Sequence, residues 1–94
     1  MRATDVDVLD HALDRYEGLL DEFRFAVDDA LDEIIESPEP DQIRKFRIDV
    51  SDWDDGPGVH VYYVGATVHV TYRIDETHRV IVSNCGTFPV TQRR

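Results

Sequence analysis

Apolar residues recur at Leu9, Leu13, Tyr16, Leu20, Phe23, Val27, Ala30 and Ile34, with spacings that alternate between four and three. That is the period of one helix face. Ala12, Leu19, Ala26, Leu31 and Ile35 widen the stripe, while Asp and Glu fill the other side. The pattern predicts a helical region over residues 5–36, with Asp5 as N-cap and Asp7 and Asp10 in a dipole-favourable first turn. Ser37-Pro38-Glu39-Pro40 ends it, because proline disfavours helical backbone at the residue before it. Unbroken, this helix is about 45 Å long, more than a small sheet covers. Either it breaks near Gly18 into a hairpin whose second arm is capped by Asp21, or its excess length packs on a second chain.

From residue 44 the period changes from 3.6 to 2. Residues 44–50, 59–64, 67–75 and 78–83 read as four strands, separated by the turn-rich stretch 51–58, by Gly65-Ala66 and by Asp75-Glu76-Thr77. Asn84-Cys85-Gly86 ends the last strand, and residues 87–94 form a tail. Alternation puts Phe46, Ile48, Val50, Val59, Val61, Tyr63, Val68, Val70, Tyr72 and Ile74 on one face, which the amphipathic helical stripe must cover. The expected fold is α+β, a single domain over residues 1–94. An N-terminal helix or helical hairpin packs on one face of a roughly four-stranded, mostly antiparallel sheet.

Composition changes this picture in two ways. The 94 residues hold 20 Asp+Glu against 10 Lys+Arg; 14 of the acids are Asp and 9 of the bases Arg. This resembles proteins of salt-loving archaea, in which a dense carboxylate surface stays hydrated and molar salt shortens the Debye length to ~3 Å. The charge is also unevenly placed. Residues 1–43 hold 14 acids and 3 bases, a balance of −11, whereas residues 44–94 hold 6 acids and 7 bases, a balance of +1. The acidity therefore does not argue against a polyanionic partner for the sheet half. No apolar run approaches the ~18 residues of a membrane span, and the acidic N-terminus does not read as a secretory signal. One cysteine, Cys85, allows no internal disulfide, and the expected location is the cytoplasm.

The chemistry-bearing candidates fall opposite the apolar set: Lys45, Arg47, His60, Tyr62, His69, Thr71 and Arg73. Arg and Lys neutralise phosphates, and Tyr62 or His60 can stack on a splayed base. His69 near Arg73 suits acid–base chemistry at a phosphodiester. The plain alternative is an antiparallel sheet with an ordinary polar outer face. His60 and His69 bind a metal only if adjacent on paired strands, and no carboxylate or cysteine joins them, so no metal or other cofactor is expected. Asp52-Trp53-Asp54-Asp55-Gly56 lacks the closing Glu of a calcium loop, and Cys85 reads as a small core residue.

The chain resembles the RelE/ParE toxin superfamily over residues 16–86. The features are the helix end Ile34-Ile35-Glu36-Ser37-Pro38-Glu39-Pro40, the Val64-Gly65 step, Val70-Thr71-Tyr72-Arg73-Ile74-Asp75, and the apolar Val80-Ile81-Val82 before a glycine. The resemblance implies a sheet packed on a helical hairpin and a toxin held by a cognate antitoxin. RelE-type members cleave messenger RNA on the ribosome and ParE-type members poison gyrase. Counting back from Tyr72, the family's strand arginine falls at His69, and Arg73 matches the residue after the tyrosine. His60-Val61-Tyr62-Tyr63 stands where an Arg-rich strand is common, and Gly86-Thr87-Phe88 where Gly-His-Arg is common. The implied function is a toxin, a metal-independent RNA endonuclease with a thinned catalytic set: His69 and Arg73 catalytic, Lys45, Arg47, His60 and Tyr62 on the RNA. The alternative is a non-catalytic interaction domain that forms a homodimer, or binds another protein, through the helical stripe.

Overall fold

A computed structural model describes residues 2–50 and 58–88. The chain runs β1 (Val6–Val8), α1 (Asp10–Glu17), α2 (Asp21–Glu36), β2 (Lys45–Val50), β3 (Gly58–Val64), β4 (Val68–Ile74) and β5 (Val80–Thr87). The described strands form one sheet in the order β1-β5-β4-β3-β2, with β1 parallel to β5 and every other pair antiparallel. Both helices pack on one face, so the fold is α+β with five strands rather than four.

The added strand comes from the start of the expected helix. Val6 and Val8 pair with Val80 and Val82, and the Asp5 carbonyl accepts the Val80 N–H at 3.0 Å. Pairing with β5 thus claims residues that the helical period had enlisted. Asp5 is no N-cap, and α1 starts at Asp10. The helical region breaks at Gly18, as the hairpin arrangement requires; Leu20 rather than Asp21 holds the N-cap position of α2. Asp21 instead pairs with Arg24 one turn on.

The stripe is consumed by the chain's own sheet. Ala12, Val27, Ala30 and Ile34 are buried against Val61, Tyr63, Val70, Tyr72, Val80 and Val82, with Tyr16, Leu19, Phe23 and Leu31 packed around them. Burial of this apolar area, at about 25 cal/mol per Å², is what holds the hairpin on the sheet. Three side chains from the sheet also fasten the end of α2. The Tyr63 hydroxyl donates to the Glu33 carboxylate at 2.7 Å, the Lys45 ammonium to the Ser37 carbonyl at 2.6 Å, and the Tyr72 hydroxyl to the Pro38 carbonyl at 2.6 Å. After the helix, the Asp41 carboxylate accepts the backbone N–H groups of Ile43, Arg44 and Lys45. Those three donors hold its pKa far below the usual carboxylate range.

Two register features differ from simple alternation. In β2, Lys45 and Arg47 stand opposite Tyr63 and Val61, on the helix-covered face, and Phe46 and Ile48 stand opposite Tyr62 and His60 on the other. The phase of β2 is thus the reverse of the expected one. Lys45 tolerates this because the C-terminal carbonyls of α2 receive its ammonium. In β5 the register shifts by one residue at Ser83: Tyr72 pairs with Val82, but Thr71 pairs with Asn84. This bulge turns Cys85 into the core under α1 and Gly86 toward the far face. The strand then continues to Thr87, beyond the expected end at Ser83. No helix among the described residues is long and apolar enough to cross a membrane.

Candidate functional site

The sheet face away from the helices carries His60, Tyr62, His69, Thr71 and Arg73, as alternation along β3 and β4 requires. It is less open than an ordinary polar face. His60 and Thr71 are each 1% exposed, so neither offers a surface for a base to stack on. Lys45 and Arg47 lie on the opposite side of the sheet. Lys45 is 3% exposed and engaged at the end of α2, with the Asp41 carboxylate at 3.7 Å, while Arg47 is exposed on the edge strand. The structure therefore separates these two bases from His69.

His69 sits between Val64 of β3 and Gly86 of β5. Its imidazole packs between two aromatic rings, Tyr62 at a centroid distance of 5.5 Å and Phe88 at 5.2 Å. Nδ1 is buried without a hydrogen-bond partner, whereas Cε1 and Nε2 pack against Gly86. The absence of a side chain at Gly86 is what lets the ring approach so closely: a Cβ there would lie 3.2 Å from both ring atoms.

The guanidinium that joins the ring at Gly86 belongs to Arg15, not Arg73. Arg15 lies in the last turn of α1, and its Nε donates to the Cys85 carbonyl at 3.0 Å. Its Nη2 lies 3.4 Å from the same missing Cβ position. Burial lowers the His69 pKa, the Arg15 charge lowers it further, and the Thr87 backbone carbonyl acts the other way. Burial and the neighbouring charge thus favour the neutral imidazole. Arg73 occupies the same face four positions along β4, about 13 Å away at the rise of a strand. In register it pairs with Ile81 of β5.

No pattern along the chain points directly to Arg15. It belongs to the acidic helix, and only the bulge at Ser83, with the lie of α1 along the β5 edge, brings it to His69. Its one legible signal is that it is a base in a segment of acids. Other candidates resolve simply. His60 and His69 are offset along paired strands rather than adjacent, which removes the geometry a shared metal needs. The Cys85 thiol is buried, contacts the Ala12 carbonyl at 3.4 Å, and has its pKa raised by burial. The Asp52–Gly56 stretch lies outside the described residues.

A second feature lies on the helix side. Val8, Leu13, Tyr16, Val27, Leu31 and Val82 line an apolar cavity of about 100 Å³ between the two helices and the sheet. The Tyr16 hydroxyl donates to the Asp28 carboxylate at its edge, at 2.9 Å. Leu13 is half exposed nearby, and Leu20 and Phe25 are 66% and 67% exposed on the hairpin.

Compared with models of known protein families and with curated protein sequences, the chain matches none.

Proposed function

We propose that this chain is a RelE/ParE-like toxin domain that cleaves RNA without a metal, with His69 as the general base. The observation that carries the reading is the His69 imidazole, held between the rings of Tyr62 and Phe88 with the Arg15 guanidinium beside it at Gly86. Burial and the Arg15 charge favour the neutral imidazole, the form that accepts a proton, so of the acid and base roles the base is the one proposed. In the step, the ring takes the proton of a 2′-hydroxyl, the 2′-oxygen bonds to phosphorus, and the bond to the 5′-oxygen breaks. The leaving oxygen takes a proton from water, giving a 2′,3′-cyclic phosphate and a 5′-hydroxyl end. Tyr62 and Phe88 supply ring faces for the flanking bases. The helical hairpin on an antiparallel sheet, which the family resemblance implies, also supports the reading. The corresponding partners are RNA at the ribosome and an antitoxin, and the place of action is the cytoplasm.

Induced expression tests this directly. Growth arrest that disappears with His69→Ala, at equal protein level, supports the toxin; harmless expression of the wild-type chain, with no RNA cleavage in molar KCl, removes it. A second reading, a non-catalytic interaction domain, is favoured by the apolar cavity between the helices and by the exposure of Leu20 and Phe25. It predicts complex formation or dimerisation that is abolished when Leu20 is replaced by Asp.

A further inference from the structure

We infer that the gap between α1 and α2 is a docking groove for a basic, amphipathic helix of a partner protein, which inserts one apolar side chain of leucine size. The proposal deepens the second reading above, the interaction domain, and rests on it.

The groove follows from how the hairpin packs. Each helix leans on the sheet far more than on the other helix, because Ala12 of α1 and Val27, Ala30 and Ile34 of α2 are buried against the strands. The residues that face the gap are left partly uncovered. Leu13 is 42% exposed, and Tyr16 and Leu31 are half-buried. Between them lies the cavity of about 100 Å³, floored by Val8, Val27 and Val82, with an apolar accessible wall and an opening to solvent. Close-packed interiors hold few voids of this size. A cavity of about 150 Å³ accepts benzene, so this one suits a single branched aliphatic side chain.

Charge selects the occupant. Asp10 and Glu17 lie one turn to either side of Leu13 on α1, and Asp28 and Asp32 lie beside Leu31 on α2, all four exposed. The Asp28 carboxylate reaches the edge of the cavity, where it accepts the Tyr16 hydroxyl at 2.9 Å. The three bases of residues 1–43 are engaged elsewhere: Arg2 with Glu36, Arg15 with the Cys85 carbonyl and Arg24 with Asp21. An apolar floor between two carboxylate rims fits a helix whose lysines or arginines flank one apolar residue. The same rims disfavour the rival occupants. A second copy in a two-fold arrangement sets like charges against like. A nucleic acid or an anionic membrane meets a segment of 14 acids and 3 bases. A small apolar molecule fills the cavity but uses none of the charge.

The test uses the full chain and two labelled helical peptides of lysine and alanine that differ at one central position, leucine in one and alanine in the other. Fluorescence anisotropy at fixed salt gives their affinities. The leucine peptide is expected to bind about tenfold tighter, a factor that burial of one leucine side chain supplies. Val27→Leu fills the cavity and keeps every carboxylate, and it should bring the two peptides within twofold of each other; Val8→Ile, which fills it from β1, serves the same end. Asp28→Asn combined with Asp32→Asn keeps the cavity and should weaken both peptides equally while flattening the salt dependence. Circular dichroism checks that each variant is folded. Equal binding of the two peptides by the wild-type chain, or a leucine preference that survives both filling variants, overturns the proposal. So does a homodimer, seen by sedimentation, that Val27→Leu dissociates, because a second copy then occupies the groove. A complex lost in Leu20→Asp but untouched by Val27→Leu overturns the groove and leaves the interaction reading standing. Absence of peptide binding at low salt, with no complex that Leu20→Asp disrupts, removes both.

Discussion

Replacing Lys45 by methionine tests whether that lysine serves the fold or a nucleic acid. Its side chain is almost wholly buried, and its ammonium donates to the Ser37 carbonyl at 2.6 Å where α2 ends. A hydrogen bond from a charged donor contributes about 1.5–3 kcal/mol, and position at a helix C-terminus favours a cation further. The Asp41 carboxylate at 3.7 Å is exposed and adds little. Desolvation of the ammonium works in the opposite direction and removes part of the gain. Methionine keeps the length of the apolar stem, so packing is nearly conserved. The net expectation for Lys45→Met is a loss of about 1–2 kcal/mol. With a urea slope of about 1 kcal/mol per M for a small protein, the unfolding midpoint falls by roughly 1–2 M. Lys45→Ala, which also removes the stem, falls further. RNA affinity and its salt dependence stay those of the wild type. An unchanged or raised midpoint, together with lost RNA affinity, refutes the structural assignment and returns Lys45 to the phosphate-binding set.

Other perturbations give equally definite expectations. Ile34→Ala empties a fully buried position between α2 and the sheet and costs about 2–5 kcal/mol in chemical denaturation. Tyr72→Phe deletes the buried hydroxyl that holds the Pro38 carbonyl and costs about 1–3 kcal/mol. For pH, the folded-state pKa of His69 is lowered, so the unfolded chain binds more protons between that value and about 6.5. Stability should therefore rise with pH through that window, and His69→Gln should flatten the rise. The lowered carboxylates Asp41 and Asp75 matter only below about pH 4, where their contribution is lost as they protonate. Finally, with 14 acids and 3 bases in residues 1–43, the melting temperature should climb as KCl is raised toward molar concentration, because screening relieves self-repulsion.

Which parts of this structure were legible follows from what a periodic pattern can encode. The helical stripe and the Pro38-Pro40 stop specified the helices, because burial and backbone sterics act on near neighbours. The alternation in β3 and β4 placed His69, Tyr62, His60 and Arg73 on one face for the same reason. Three features depended on long-range pairing and were not visible. Val6–Val8 is too short to outweigh the helical period and becomes a strand only because β5 offers an edge. The phase of β2 turns on whether the end of α2 can receive the Lys45 ammonium. The bulge at Ser83 shifts the face of Gly86, and with it the partnership of His69 and Arg15. A sequence shows His69 and Arg73, but not that a single unpaired residue in β5 brings Arg15 to His69 instead.

The most direct test of the account is cleavage of messenger RNA on programmed ribosomes by the purified chain, compared with His69→Ala and with Arg73→Gln. The prediction is cleavage by the wild type that leaves 2′,3′-cyclic phosphate ends, loss by at least a hundredfold in His69→Ala, and a much smaller effect of Arg73→Gln. Intact RNA with the wild-type chain, or cleavage that survives His69→Ala, contradicts it.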